Sequence, residues 1–177
     1  LVIGGGIAAY KSLDLIRLLI KNGFLVKTIL TKSGKEFVTP LSVATISGNK
    51  PHEDLFNLDD ESKIDHIALS RWADLIVVAP ATANFLSKLS IGKADDLAST
   101  VLLASNKEIL LAPAMNVRMW TNEATINNYK TLISYGYHFV GPVKGDMACG
   151  EFGDGKMSEI NEIFNNIKNY FKNKDLF

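Results

Sequence analysis

A single cysteine, Cys149, is all the thiol chemistry this 177-residue chain carries. That excludes an internal disulfide and any all-cysteine zinc site, and no metal centre is read from the sequence. The scarcity agrees with a reducing, cytoplasmic compartment. Long apolar runs are missing too. The longest clean one, 75–81, is far short of a bilayer span, and no signal peptide is visible, so no membrane partner is expected. Excess charge of either sign is absent: 19 basic residues balance 19 acidic ones, leaving no global field to favour nucleic acid. The chain also lacks an initiator methionine. It opens on Leu1-Val2-Ile3 as if already inside a strand, so the first strand is expected to be truncated, with its true start upstream. With 47% hydrophobic and 21% charged residues, the rest suits one compact domain over 1–177.

Leu1-Val2-Ile3 runs directly into Gly4-Gly5-Gly6, and apolar residues at Leu13, Ile16, Leu19 and Ile20 then follow helical spacing. Phe24–Leu30 reads as a second strand. Glycines between a strand and a helix leave bare N–H groups and a helix dipole to hold a phosphate. Gly4, Gly6 and Ala9 even satisfy the G-x-G-x-x-A dinucleotide pattern, by itself a weak signal. That pattern wants an acidic residue at the end of the second strand, and none is there. Thr31, Lys32 and Ser33 suit a phosphate monoester better, which favours a mononucleotide over a 2′-phosphorylated dinucleotide.

Further on, 40–48 reads as a short helix, 49–63 as a polar connection, and Leu75–Ala79 as a strand buried on both faces. Helices are expected through Phe85, Leu86 and Leu89, then from Asp95-Asp96 through Leu102, and, capped by Asn122, through Leu132. Glu108–Leu111 and Tyr137–Val140 read as strands. Residues 141–156 are glycine-rich and predict no regular structure, and Ser158 is expected to cap a last helix. Strands alternate with helices, giving a three-layer α/β/α, Rossmann-like (flavodoxin-like) fold around a mostly parallel sheet of five or six strands.

In such a sheet ligands bind just beyond the strands' carboxyl ends. Three such ends carry suitable residues: the glycine loop, Pro80–Asn84, and Pro113–Trp120. Asn116 can donate to or accept from a carboxylate or amide, whereas Met115, Met119 and Trp120 also fit a plainer role as core residues anchoring the loop. A glycine-dense loop as long as 141–157 is uncommon in a compact domain unless it works as a lid. Cys149 lies within it between Ala148 and Gly150, which shield a sulfur poorly.

Four motifs in one order carry a resemblance: Gly-Gly-Ile-Ala-Ala-Tyr-Lys at 5–11, Pro-Ala-Thr-Ala-Asn at 80–84, Pro-Ala-Met-Asn-x-x-Met-Trp at 113–120, and Ala-Cys-Gly-Glu at 148–151. Together they span nearly the whole chain, which resembles the flavin-containing cysteine decarboxylases, most of all the phosphopantothenoylcysteine decarboxylases of coenzyme A biosynthesis. The resemblance implies noncovalent FMN, with Gly5, Gly6 and Ile7 lining its site. Thr31 and Ser33 would lie near its phosphate or ribityl chain, and Thr82, Asn84 and Met115 against it. One departure stands out: the family commonly has Ser or Thr in the first glycine loop, where this chain has three glycines.

The implied reaction decarboxylates 4′-phosphopantothenoylcysteine to 4′-phosphopantetheine. Oxidation of the cysteinyl carbon–sulfur unit to a thioaldehyde provides an electron sink, loss of CO₂ leaves an enethiolate, and this is reduced back. By the resemblance, His66 is the base or thiolate stabiliser, Asn116 grips the substrate carboxylate, and Cys149 donates the final proton. From the residues alone, His66 reads as a structural histidine beside Trp72. The resemblance further implies a homo-oligomer, trimeric or dodecameric, and a possible fused phosphopantothenate–cysteine ligase. Three rivals stand beside it. They are a peptidyl-cysteine decarboxylase of lantibiotic maturation, a noncatalytic flavin-fold regulator, and an NADP-linked reductase suggested by Gly4, Gly6, Ala9 and Lys32.

Overall fold

A computed structural model describes residues 1–55 and 65–174; part of the 49–63 connection thus lies outside the described residues. The apolar run at 76–81 forms a strand, β3 (Ile76–Ala81), buried at every position. Around it stand β1 (Val2–Ile3), β2 (Ile29–Leu30), β4 (Ile109–Pro113) and β5 (His138–Phe139), in the order β2-β1-β3-β4-β5. Every pairing in this sheet is parallel, as the alternation of strands and helices predicts.

Two apolar layers cover the sheet, sorted by the period-2 alternation of strand side chains. Ile3, Val77, Ala79, Leu110 and Ala112 face helices α1 (Ala9–Lys21), α2 (Pro40–Ser47) and α8 (Ile160–Asn173), meeting Leu15, Ile16, Val43 and Ile163. Val2, Ile76, Val78, Ile109 and Leu111 face α3 (Asp65–Trp72), α4 (Ala83–Ser90), α5 (Leu97–Ala104) and α7 (Glu123–Ser134), meeting Leu69, Leu86, Leu102 and Leu132. One polar group bridges helix and sheet. Ser12 Oγ, fully buried on α1, donates to the Ala79 carbonyl at 2.7 Å.

Local chemistry sets most helix starts. Thr39, Thr82 and Asn122 accept from first-turn N–H groups of α2, α4 and α7, and Asp96 forms a reciprocal capping box with Ser99 on α5. The expected cap at Ser158 is not made. The N-cap of α8 is Glu159, whose side chain makes no capping bond, and the buried Ser158 hydroxyl turns against Gly141 instead. The second strand is also shorter than the expected 24–30. Only Ile29 and Leu30 find ladder partners, Val2 and Ile3, and Leu25 is 84% exposed.

The larger correction is at 141–157. Instead of irregular chain, β6 (Val143–Asp146) and β7 (Phe152–Lys156) form an antiparallel hairpin apart from the main sheet. Its glycines serve close packing. A Cβ on Gly153 would lie 2.7 Å from Val117, and one on Gly155 (φ +139°) would lie 2.4 Å from the Met115 carbonyl oxygen.

Replacing Ser12 by Ala leaves the buried Ala79 carbonyl without its donor. Urea titration is expected to show a loss of about 1–3 kcal/mol in unfolding free energy with an unchanged slope.

Candidate functional site

Because the sheet is parallel, the loops after β1, β2, β3 and β4 all leave at one edge. A cavity of about 460 Å³ opens there, lined by Gly4, Gly5, Thr31, Lys32, Ser33, Thr82 and Asn84, with Glu36, Lys88, Asp95 and Asp96 behind them. That volume is of ligand-site size. The cavity straddles β1 and β3, the point where strand order reverses and doubly wound sheets bind ligands. An apolar hollow of about 390 Å³ at the opposite edge, between Phe24, Leu25, Trp72 and Phe171, holds none of the candidate residues.

The glycine loop is shaped for an anion. Gly5 packs so tightly on Ser33 that a Cβ would sit 2.4 Å from Ser33 Cβ, whereas a Cβ on Gly6 would meet nothing within 4 Å. The N–H groups of Gly5, Gly6 and Ile7 take no backbone partner among the described residues. Helix α1 starts at Ala8 with no side-chain cap and no acidic residue in its first turn. Its positive dipole end is therefore free to face an anion. Gly6 and Ile7 follow Gly5 out of the cavity lining, and Ile7 is 60% exposed.

The hydroxyls are not equivalent. Thr31 Oγ1 donates to the Ile3 carbonyl at 3.1 Å and accepts from Gly34 N–H at 3.0 Å, which occupies it in holding the loop. Ser33 Oγ has only a 3.5 Å neighbour, Thr31 Oγ1, and Thr82 Oγ1 uses its acceptor side on Phe85 N–H. Ser33 and Thr82 thus remain able to donate into the cavity. Lys88 is committed, with Asp95 at 2.6 Å and Asp96 at 2.7 Å. The bonds from Lys88 and Lys93 hold the Asp95 carboxyl at about 2. Burial pushes Asp96 up, but Lys88 and Ser99 outweigh it and hold it below the usual carboxylate range.

Past β4, the short helix α6 (Val117–Trp120) starts on Asn116, whose Oδ1 accepts from Arg118 N–H at 2.7 Å. With its oxygen so used, the amide turns Nδ2 outward. Nδ2 donates to the Glu151 carboxylate and lies 3.7 Å from Cys149 Sγ, and Cys149 Sγ lies 3.6 Å from Glu151 Oε2. The hairpin is pinned over this group by Met115 N–H donating to the Gly155 carbonyl at 2.9 Å. Cys149, at the tip, is exposed. Met115 and Trp120 pack on the core, and Trp120 stacks edge-on with Tyr129. That is the loop-anchoring role the sequence also allowed.

The structure thus gathers Gly5, Thr31, Ser33, Thr82 and Asn84 into one cavity, and Asn116 with Cys149 into a second group on the same edge. His66 is bonded to neither. It is the second residue of α3, with a buried Nδ1 that has no partner among the described residues. Glu151 was not singled out from the sequence, although it closes the quoted Ala-Cys-Gly-Glu motif. Among the described residues no helix is long and apolar enough to cross a membrane.

The model of the Flavoprotein family matches residues 1–172. The chain is 47% identical over 172 residues to the coenzyme A biosynthesis bifunctional protein CoaBC of Haemophilus influenzae, covering 97% of this chain and 43% of that one. To the CoaBC of Bacillus subtilis it is 42% identical over 171 residues, again 97% of this chain and 42% of that one. It therefore spans less than half the length of these curated relatives. Among solved structures it is similar to a cysteine-to-serine mutant of PPC decarboxylase complexed with pantothenoylaminoethenethiol. There the TM-score is 0.85, with 29% identity and coverage of 97% of this chain and 96% of that one. It is also similar to the FMN binding protein AtHal3, with a TM-score of 0.81, 30% identity and coverage of 97% and 95%.

Two outcomes are expected. Gly5→Ala, forced against Ser33, costs about 1–3 kcal/mol in denaturant unfolding, while Gly6→Ala folds with nearly unchanged stability. Asp95, with its folded value depressed from 3.8 to about 2, contributes stability that is present above the higher value and lost as pH falls through the lower. Lys88→Met should therefore flatten the decline of stability across that window, measured by urea midpoints at several pH values.

Proposed function

The chain belongs to the Flavoprotein family, and on that premise we propose that it is an FMN-dependent carboxy-lyase that converts 4′-phosphopantothenoylcysteine to 4′-phosphopantetheine in coenzyme A biosynthesis. The observation that carries this reading is the pairing of the outward Asn116 amide with the Cys149 thiol, on the sheet edge that also holds the anion cradle. The cradle fits the cofactor's phosphate: free N–H groups at Gly5, Gly6 and Ile7, an uncapped α1, and hydroxyls at Ser33 and Thr82. Thr31 holds the loop in shape, and Asn84 and Met115 border the cofactor further along the edge.

FMN, when bound, supplies a reversible two-electron acceptor, without which a saturated cysteinyl carboxylate has no sink for the electron pair that CO₂ leaves behind. Asn116 Nδ2 donates to that carboxylate and orients it. His66, near the start of α3, serves as the base or thiolate stabiliser toward the substrate thiol. Cys149 returns a proton from Sγ when the saturated thiol is restored. The hairpin, fastened at Met115 and Val117, keeps water from the reacting carbon.

The 42–47% identity to coenzyme A relatives supports this substrate over a peptide with a terminal cysteine, and the paired Asn116 and Cys149 support an enzyme over a noncatalytic regulator. The same reading extends to a cytoplasmic homo-oligomer, a trimer or dodecamer, and to a phosphopantothenate–cysteine ligase domain sharing the full-length protein.

The test is direct. The purified chain is expected to show an oxidised flavin spectrum and to release CO₂ from 4′-phosphopantothenoylcysteine. Cys149→Ser should accumulate the decarboxylated enethiol, lighter than the product thiol by two hydrogens in mass analysis. Release of the saturated thiol at the wild-type rate by that variant refutes the role of Cys149.

A further inference from the structure

One carboxylate oxygen ties the hairpin tip to the loop after β4. Glu151 Oε2 accepts from Asn116 Nδ2 and from the Cys149 thiol, and Asn116 Nδ2 also faces Cys149 Sγ. A primary amide nitrogen has two hydrogens. The hairpin therefore engages both, while Arg118 N–H occupies the amide oxygen. The position of Glu151 is built in. Met147 N–H donates to the Glu151 carbonyl and Gly150 N–H to the Met147 carbonyl, both at 2.9 Å, closing the turn that delivers the side chain. Beyond the turn, Gly153 and Gly155 seat β7 on Val117 and Met115. The donor that would receive a ligand carboxylate is already filled by a carboxylate of the same chain.

We propose that Glu151 is a resident occupant of the Asn116 carboxylate seat, a positioning residue that holds the hairpin tip down until the carboxylate of a ligand displaces it. This rests on the reading of Asn116 as the seat for the substrate carboxylate. Two carboxylates cannot share the same pair of donors without like-charge repulsion. An anionic ligand therefore enters by replacing Glu151. A decarboxylated product has no carboxylate to compete with, so Glu151 returns to the amide and favours release. The residue thus acts on selectivity for charge at the seat.

The test uses Cys149 as its own reporter, since the chain has no other cysteine. The alkylation rates of Cys149 by iodoacetate and by iodoacetamide are compared; the reagents share a leaving group and similar size and differ in charge. Glu151→Gln is expected to raise the iodoacetate-to-iodoacetamide ratio about threefold or more. The same change made together with Asn116→Ser, which keeps a capping oxygen but has no amide hydrogens, should leave the ratio within about twofold of Asn116→Ser alone. An unchanged ratio in Glu151→Gln overturns the proposal. So does an equal rise with and without Asn116, which would mean only that a nearby negative charge had gone. Neither measurement needs turnover. A chain that failed to decarboxylate the substrate would refute the proposed function while the alkylation pattern still decided the role of Glu151.

Discussion

Parallel pairing is the constraint on which this molecule rests. A strand that must run alongside its neighbour in the same direction needs a crossover, and the crossover helices bury both sheet faces. The cost is that β3 and β4 have nearly no polar side chains, being Ile-Val-Val-Ala-Pro-Ala and Ile-Leu-Leu-Ala-Pro. The benefit is that every strand of that sheet ends at one edge, where glycine or polar residues follow within three positions of the first four: Gly4 after β1, Thr31 after β2, Thr82 after β3 and Asn116 after β4. The site is thus a consequence of sheet direction, with side chains added where burial ends.

Glycine does different work in the two halves of the site. In the first loop, Gly5 lets the backbone close on Ser33, while the missing Cβ of Gly6 leaves open space beside unpaired N–H groups. In the hairpin, Gly153 and Gly155 let β7 lie against Val117 and Met115 so closely that side chains there would collide. The first pattern leaves space beside the backbone; the second removes it, so that the hairpin lies close against α6 and the chain before it. Both look the same as composition.

That ambiguity explains what the sequence disclosed and what it hid. The buried strands were legible because eight positions, 76–79 of β3 and 109–112 of β4, sort onto two faces by alternation. The starts of α5 and α7 were legible because Asp96 and Asn122 have the side chains that caps require. The hairpin was not, because β propensity describes side chains that fit a pleated surface, and Gly145, Gly153 and Gly155 have none. Ser158 misled for a related reason: its hydroxyl type suits a cap, but tertiary packing turns it onto Gly141. Glu151 was hidden because its contact with Asn116 spans 35 residues of chain and, like the 33-residue contact of Cys149 with Asn116, forms only once the hairpin folds over α6. The motifs identified which loops matter, and the geometry identified which atoms in them are free.

The charges at the site support one more step. Lys88, one of two lysines in the cavity wall, is held between Asp95 and Asp96, and Lys11 beyond the glycine loop is paired with Glu159, so Lys32 is the cation of that wall outside these pairs. At the cradle, backbone N–H groups stand beside Lys32, whereas past β4 the outward donor is the neutral Asn116 amide. For a phosphate that only has to stay bound, many weak dipoles suffice. For a carboxylate that has to leave, neutrality is an advantage. A lysine or arginine in the place of Asn116 would bind the ground-state carboxylate strongly and lose that interaction as its charge drains toward the electron sink. Such binding would deepen the starting well more than it lowered the barrier. On the proposed reading of Asn116, an amide would orient the carboxylate at a smaller penalty. The same logic would account for the acidic residue beside it, because a Glu151 carboxylate seated on the amide would weaken the hold on any anion that had not displaced it.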